Sequence, residues 1–389
     1  MLDLLRGGDS ARLFVSSLVG RAPATALSLV LVLRTKELTG SFAAAGVASG
    51  GHALASAVCS PVLGRLLDRR GQPPILFAGA LVSALAMVAF ATLPHGVSLA
   101  AILPCAVIAG AALPPLGACL RTLWPALLDS PERVHAAFAL DAAGIEIVYI
   151  AGPVLIAGAL GSWSLAASAV ACAVLLVAGT LVFGTSPSSR AWRPGPHEET
   201  GGALRAPGVR TLAAVFVLMG LAFGAIEVAA PAAADEAGHA GAAALLLGGW
   251  GLGSFVGGVL ATRAPAPPDP VRRLCVLLAL LTCGHLLLAL PDELVLIGAL
   301  LFLSGAAIAP AFGLAYGLVE RAAAAGTVTE AYTWLSTGLA AGIAAGAALS
   351  GVLAEGTGPA AGFALAAVGT AGAALTAGRR RATIVPVPR

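Results

Sequence analysis

Long apolar segments recur along almost the entire chain, and this pattern restricts its fold more than any other feature. A segment of about 20 apolar residues crosses the roughly 30 Å hydrocarbon core as an α-helix, because a helix rises about 1.5 Å per residue. Of the 389 residues, 58% are hydrophobic and 11% are charged, whereas soluble domains carry about 25% charged residues. Because lipid-exposed backbone must satisfy its own hydrogen bonds, the sequence predicts an all-α integral membrane protein.

Twelve membrane-spanning helices are predicted, because the chain holds twelve apolar segments of sufficient length. The start "MLDLLRGGDSARL" lacks the basic region, short apolar core and small-residue cleavage site of a signal peptide, so we expect a retained first helix. The expected spans are 13–33, 42–63, 75–93, 97–120, 134–160, 163–184, 211–233, 242–261, 272–290, 294–319, 328–353 and 359–378.

Positive charge is distributed unequally between the two sides of the membrane. An even number of spans places both termini on one side, and that side receives almost all of the loop arginines, Arg121 among them, whereas the other side receives Arg34 and Lys36. Loops rich in arginine and lysine stay in the cytoplasm. We therefore expect both termini in the cytoplasm. The Ala-, Gly- and Arg-rich composition with almost no lysine indicates a bacterial protein of the cytoplasmic membrane.

The chain is predicted to consist of two six-helix bundles, 1–184 and 209–389, joined by a cytoplasmic linker at 185–208 that is rich in Pro, Gly, Ser and charge. The halves resemble each other at an offset of about 194 residues. "GRLLDR" in the first half corresponds to "GVLATR" in the second, and "GAALPP" corresponds to "GAAIAP". Parallel six-helix repeats are typical of transporters that bind their substrate between the halves.

A cluster of charge lies between the second and third spans, in "GRLLDRRGQPP" at 64–74. Its two glycines, Gly64 and Gly71, allow a tight turn. Asp68, just beyond a helix end, can accept backbone N–H groups or face the positive N-terminus of a neighbouring helix. The alternative for the arginines, Arg69 included, is that they only fix the topology, although topology requires no acid.

This stretch resembles the signature that the major facilitator superfamily carries between its second and third helices, G-x-L-x-D-R-x-G-R-[RK] in one-letter code. The resemblance implies two pseudo-symmetric six-helix bundles and, for bacterial efflux-type members, exchange of a drug or metabolite for protons. It also implies that Asp68 latches the loop against the eleventh helix, which favours the outward-facing state. The matching residues are Gly64, Leu66, Asp68, Arg69 and Gly71, and the departures are Gln72 and Pro73.

Ionisable residues inside the spans are costly to bury and therefore indicate function. Arg21 shares one helical face with Thr25 and Ser28, and we expect this stripe to line water or substrate. The alternative is that the arginine snorkels to the interface. Glu227, in the seventh span, is the first candidate for a proton-coupling residue or for the counter-ion of a cationic substrate. The alternative for this glutamate is an inert, hydrogen-bonded carboxyl group.

The fifth span carries two further proton-coupling candidates, Asp141 and Glu146. Asp141 lies on one stripe with Gly144 and Gly152, which predicts a seam for close helix packing. Solvation near the cytoplasmic end is the alternative for this aspartate. Together with Pro153, the two glycines partly resemble the antiporter signature of the superfamily's fifth helix, G-x-x-x-G-P-x-x-G-G.

Three aromatic residues, Phe312, Tyr316 and Trp334, are further candidates for the substrate cavity, because aromatic rings bind aromatic or cationic ligands. Core packing is the alternative for each of them. The cysteines form no CxxC pair and the histidines form no HExxH motif, so we expect neither a metal site nor a cofactor.

The expected function is secondary active transport by alternating access, with export of a small, partly hydrophobic compound in exchange for protons. A proton-coupled importer, an uncoupled facilitator and a transport-dead sensor or assembly protein are the alternatives. An enzyme or an ATP-driven pump is not expected, because the sequence has no G-x-S-x-G elbow and no G-x-x-x-x-G-K-[ST] loop. The expected partners are the lipid bilayer, the small-molecule substrate and protons. We expect a monomer that binds no nucleic acid.

Overall fold

The computed structural model describes residues 8–152, 155–156, 163–193, 202–291 and 293–385. The helices of the first half are α1 (Gly8–Thr39), α2 (Phe42–Arg70), α3 (Gln72–Ala91), α4 (Leu99–Ala111), α5 (Leu116–Leu127), α6 (Pro131–Gly152), α7 (Leu165–Gly184) and α8 (Pro187–Ala191). Those of the second half are α9 (Pro207–Glu236), α10 (Ala243–Ala261), α11 (Pro270–Leu288), α12 (Leu294–Gly305), α13 (Ile308–Ala322), α14 (Val328–Thr357), α15 (Pro359–Arg379) and α16 (Arg381–Ile384).

Among the described residues, ten helical segments are long and apolar enough to cross a membrane, and each overlaps one predicted span. The two predicted spans outside this set correspond to α2 and α6, which have 29 and 22 residues. At about 1.5 Å per residue, both are also long enough for the roughly 30 Å hydrocarbon core. The predicted all-α membrane fold is confirmed.

The fourth and tenth spans are each divided into two helices, and the divisions fall at corresponding places. α4 is separated from α5 at the sequence "GAALPP", and α12 is separated from α13 at "GAAIAP". Proline lacks the backbone N–H group that would continue a helix. The repeated sequence therefore produces a repeated structural break.

The same helix pairings occur in both halves. In the first half, α1 and α3 pack against α7, and α2 packs against α4. In the second half, α9 and α11 pack against α15, and α10 packs against α12. This correspondence agrees with the internal sequence repeat, whereas the boundaries at 184 and 209 stay a prediction.

Glycines allow α9 and α14 to pack with their backbones in contact. A Cβ atom on Gly342 would collide with the carbonyl oxygen of Val217, and one on Gly346 would collide with that of Leu221. Small residues are the usual means by which membrane helices approach closely. The glycine repeat at 338, 342 and 346 is therefore a packing surface within the second half.

One side of the bundle, here called the linker side, holds α8, α16 and the turn between α2 and α3. Gln72, at the start of α3, donates to the carbonyl oxygen of Cys119 at 3.2 Å and accepts a hydrogen bond from the Ser189 hydroxyl group on α8 at 3.0 Å. Asp9 accepts a hydrogen bond from the Ser188 backbone N–H group at 3.0 Å. The first described part of the linker, residues 185–193, is thus attached to the first half.

The two halves contact each other through α2 with α14, α6 with α10 and α13, and α5 with α14. These contacts reach the middle of the helices, where the Thr337 hydroxyl group donates to the carbonyl oxygen of Ala57 at 2.8 Å. Toward the opposite side, a Cβ atom on Gly46 of α2 or on Gly351 of α14 would meet no atom within 4 Å. The halves are closed on the linker side, and these two glycines face open space on the opposite side.

Candidate functional site

The linker-side end of α2 contacts the first turn of α14. The Asp68 carboxylate accepts hydrogen bonds from the backbone N–H groups of Thr329 at 3.1 Å and Glu330 at 2.8 Å. The first N–H groups of a helix lack partners within the helix and carry its positive dipole end, so a carboxylate is stabilised there. The contact that the resemblance implied for Asp68 is present, and its effect on transport stays a prediction.

A second contact between the halves lies beside Asp68. Arg65 donates through Nε at 3.1 Å and through Nη2 at 2.7 Å to the buried Glu330 carboxylate. Trp334 Nε1 donates to the same carboxylate at 3.3 Å, so this indole lies at the linker-side contact. Gly64 is required for the close approach, because a Cβ atom would lie 2.9 Å from the Glu330 Cα atom.

The turn after α2 depends on Gly71, whose φ of 86° lies in the left-handed region that glycine adopts readily. The chain passes through this residue directly into α3. Arg69 is exposed at the end of α2. We call Arg65, Asp68 and Glu330 together the latch, since they join the two halves on the linker side.

Asp141 on α6 binds arginines from two other helices of the first half. Its Oδ1 atom accepts from Arg21 Nη1 on α1 at 2.6 Å, and its Oδ2 atom accepts from Arg121 Nε on α5 at 2.8 Å. The Asp141 side chain is 0% exposed, and the Arg21 side chain is 14% exposed. A solvated Asp141 and a snorkelling Arg21 are therefore both wrong. We call these three residues the central cluster.

The expectation that Arg121 belongs to a cytoplasmic loop is wrong. This residue lies within α5, is buried, and its guanidinium group stacks over the Tyr316 ring of α13 at 3.6 Å from the ring centroid. A guanidinium group is attracted to the face of an aromatic ring. Because α13 belongs to the second half, the stacking joins the halves beside the central cluster.

The two hydroxyl groups of the α1 stripe bind neighbouring helices. Thr25 donates to the carbonyl oxygen of Val148 on α6 at 3.2 Å. Ser28, which is exposed, shares a hydrogen bond with Ser49 of α2 at 3.1 Å. The stripe that starts at Arg21 therefore connects α1 to α6 and to α2, and its contact with a substrate stays a prediction.

The glycines of the fifth span form a packing seam against α1. A Cβ atom on Gly144 would meet the Phe14 ring, and one on Gly152 would meet the side chain of Thr25. The seam brings α6 close enough to α1 for the ion pair of the central cluster. Pro153, the third residue of the antiporter-like motif, lies outside the described residues.

Glu146 and Glu227 come from different halves and face the space between them. Glu146 accepts a hydrogen bond from the Ser254 hydroxyl group on α10 at 2.8 Å. Glu227 is exposed on α9 although its neighbour Ile226 is fully buried. Tyr149 on α6 is 58% exposed and lies within electrostatic range of Arg21 and both glutamates. These side chains therefore surround one accessible space beside the central cluster.

Aromatic rings of the second half form a wall beside the central cluster, with the Tyr316 ring under the Arg121 guanidinium group. The centroids of Phe223 and Trp250 are 5.1 Å apart, as are those of Phe216 and Phe312, and both pairs pack edge to face. The Phe312 and Tyr316 centroids are 5.8 Å apart. All five rings are at most 9% exposed, so they pack in the core of the second half. We call these five residues the aromatic wall.

Several residues of the site were not found by sequence reasoning, among them Glu330, Ser254, the wall residues Phe216 and Phe223, and Arg121 in its buried role. Glu330 and Ser254 have partners more than 100 residues away in sequence, and no local pattern indicates such a contact. Arg121 did leave a signal, because it is a single charge within the apolar stretch "CLRTLWPALL".

Charged groups of both signs, an aromatic wall and a closed end give the site the features of a small-molecule binding site between two halves of a transporter. In the part of the chain that the structure describes, no group of three His, Cys, Asp or Glu residues could hold a metal ion. This arrangement defines a membrane transporter. The family model described as Major Facilitator Superfamily matches residues 13–333. The chain belongs to this superfamily and is a multi-pass secondary transporter, not an enzyme.

Solved structures share this fold over almost the full chain. The human organic anion transporter MFSD10 (TETRAN) is 18% identical, with a TM-score of 0.74 over 96% of this chain and 100% of that chain. A bacterial homologue of the iron transporter ferroportin in an outward-facing state is 12% identical, with a TM-score of 0.77 over 96% of this chain and 99% of that chain. No match was found among curated proteins.

Proposed function

We propose that this chain exports a small, partly hydrophobic compound across the bacterial cytoplasmic membrane in exchange for protons. The linker side faces the cytoplasm in this proposal, because it carries almost all of the loop arginines. A single chain contains both halves and the space between them, so the transporter works as a monomer.

The observation that carries the proposal is the position of Glu146 and Glu227. The two carboxyl groups belong to opposite halves and face the same space, together with Tyr149. Carboxyl groups at membrane depth are rare and are typical of proton pathways. A proton that binds here changes the charge of the space in which the substrate sits, and this gives proton and substrate a common site.

The latch supports alternating access. Closure on the linker side is held by Asp68 at the N-terminus of α14 and by the pair of Arg65 and Glu330. These contacts must break before the site can open to the linker side. The observed arrangement is then one of the two states that an alternating-access cycle requires.

The two similar structures do not select the substrate. One is an organic anion transporter and the other is a homologue of an iron transporter, and both are below 20% identity to this chain. The likeness therefore supports the fold and the transporter class, and the substrate has to be inferred from the side chains of this chain.

The test uses purified protein in liposomes that contain a pH-sensitive dye. Lipophilic cations, neutral drugs, amino acids and aromatic carboxylates are added one class at a time, and compound-driven proton movement is recorded. We expect movement with one class and its loss in Glu227→Gln. The matched control is Glu236→Gln, at the end of the same helix.

Two results would change the proposal. Wild-type proton coupling in Glu227→Gln would transfer the coupling role to Glu146 or Asp141. Compound transport without proton movement in the wild-type protein would contradict proton exchange and favour an uncoupled facilitator.

A further inference from the structure

We infer that the transported compound is an organic anion with a flat apolar group, and that its negative charge binds at Arg21 of the central cluster. The inference rests on the proposed transport function and adds the class of substrate. The apolar group packs against the aromatic wall.

The charge of the central cluster is the first step. Two guanidinium groups share one carboxylate, with one oxygen of Asp141 bound to each arginine. Within the described part of the chain, Asp141 is the carboxylate that lies within ion-pair distance of Arg21 and of Arg121. These three side chains carry one net positive charge between them, and buried charges are normally paired. Glu146 and Glu227 lie beside the same space, but among the described residues neither forms an ion pair with Arg21 or Arg121. An anionic ligand supplies the missing charge.

The access of Arg21 is the second step. A guanidinium group has five N–H donors in a planar fork that fits a carboxylate in two-point geometry. Arg21 uses Nη1 for Asp141 and retains 14% side-chain exposure, whereas Asp141 has none. A Cβ atom on Gly117 would lie 3.1–3.3 Å from the Arg21 guanidinium atoms, so the group lies against the α5 backbone. Its position is fixed before any ligand binds.

The surroundings of Arg21 are the third step. Tyr149 lies within electrostatic range of Arg21 and is 58% exposed, so it offers an accessible ring near the guanidinium group. Across the space, Trp250 is 8% exposed and its Nε1 atom is a buried donor with no partner in the described part of the chain. A flat ligand with an acceptor atom suits this wall.

Arg121 restricts where the anion sits. Its guanidinium group already bonds Asp141 through Nε and stacks over Tyr316. A negative charge placed at Arg21 stays close to this second guanidinium group without displacing it from the ring. A cation at the same place would instead lie against the Arg21 guanidinium group, whose partner Asp141 is already shared with Arg121. The anion class follows from this asymmetry.

The test is isothermal titration calorimetry on the full chain in detergent, with three probes that share one ring: 2-naphthoate, 2-naphthamide and 2-naphthylmethylamine. We expect 2-naphthoate to bind at least tenfold more tightly than either of the other two. Arg21→Gln should weaken 2-naphthoate binding at least tenfold, and Arg21→Lys should recover part of the loss.

The matched control is Arg12→Gln, which removes an arginine from the same helix at the linker side, where it bonds the Val182 carbonyl oxygen and Thr185. This variant should bind 2-naphthoate as the wild-type protein does. Thermal unfolding of each variant verifies that it is folded. If Arg21→Gln does not fold, Arg21→Lys keeps the test valid.

Equal binding of the three probes, binding of none, or a preference for the amine would overturn the inference. The proposed function is judged separately in liposomes. Proton movement driven by the amine would leave the transporter proposal in place and remove the anion class. Arg21-dependent binding of 2-naphthoate without proton movement would keep the anion class and contradict proton exchange.

Discussion

Replacement of Asp68 by asparagine should weaken closure of the linker side while leaving the helices folded. Asparagine has nearly the volume of aspartate, but it has no charge and offers one oxygen instead of two. In the wild-type protein both oxygens accept backbone N–H groups, of Thr329 at 3.1 Å and of Glu330 at 2.8 Å. The variant keeps one of these bonds.

The size of the effect follows from these contacts. A hydrogen bond to a charged group contributes about 1.5–3 kcal/mol, and a carboxylate at a helix N-terminus gains about 0.3–1 kcal/mol from the dipole. Loss of one bond and of the charge should destabilise the closed state by about 2–3 kcal/mol. The ratio of closed to open molecules should then fall about 30- to 150-fold.

The assay is a spin-label distance measurement in a background without native cysteines. Labels at Arg70 and Ala325, both exposed on the linker side, report the separation of the halves. The expected result is a shift of the distance distribution toward longer values in Asp68→Asn. Asp269→Asn is the matched control, because Asp269 accepts from the Arg272 backbone N–H group at the N-terminus of α11, within one half.

Two results would refute this reasoning. A closed-to-open ratio in Asp68→Asn within about threefold of wild type would mean that the two bonds contribute little to closure. An equal shift in Asp269→Asn would mean that loss of any helix-capping aspartate loosens the bundle, rather than loss of the latch.

Three further predictions concern other parts of the molecule. Glu227→Gln should abolish compound-driven proton movement in liposomes, whereas Glu236→Gln should leave it unchanged; equal activity of the two variants would exclude Glu227 as the coupling residue. Gly342→Leu should lower the thermal unfolding temperature by several degrees, because a side chain there meets the α9 backbone, whereas Gly351→Leu faces open space and should change it little. Tyr316→Leu removes the ring under the α5 guanidinium group and should slow transport more than Tyr316→Phe, since a cation over a desolvated ring gains about 2 kcal/mol; equal rates would show that the stacking is dispensable.

The sequence predicts the latch better than the rest of the site. The motif around Asp68 combines a charge at a helix end with glycines for a turn, and both are local properties that a sequence pattern retains. The sequence does not identify the N–H groups that donate to Asp68. Thr329 and Glu330 lie more than 260 residues away, and their contact depends on how the two halves dock.

The central cluster could be predicted only in part. Arg21 and Asp141 stand out as charges inside apolar spans, but their pairing requires the packing of α6 on α1. Arg121 was assigned to a loop because the apolar segment was expected to end at residue 120, whereas α5 continues to Leu127. Hydropathy counts a charge as polar wherever it lies, so it cannot identify an arginine that is buried because Asp141 and Tyr316 bind it.

The aromatic candidates separated in a way that sequence does not specify. Phe312 and Tyr316 pack against each other beside Arg121, whereas Trp334 bonds to Glu330 at the latch. All three lie on helices of the second half. The sequence does not specify how deep in the membrane each of them lies. The crossing angles and the closed state of the halves decide which of them reaches the site.

The most direct test of alternating access is the distance between the far ends of α2 and α14 in Asp68→Asn. Labels at Gly46 and Gly351 are suitable, because a side chain at either position meets no atom within 4 Å. If the halves rock about a central site, this distance shortens in the variant while the distance between positions 70 and 325 lengthens. An unchanged far-side distance, or lengthening on both sides, would contradict the account.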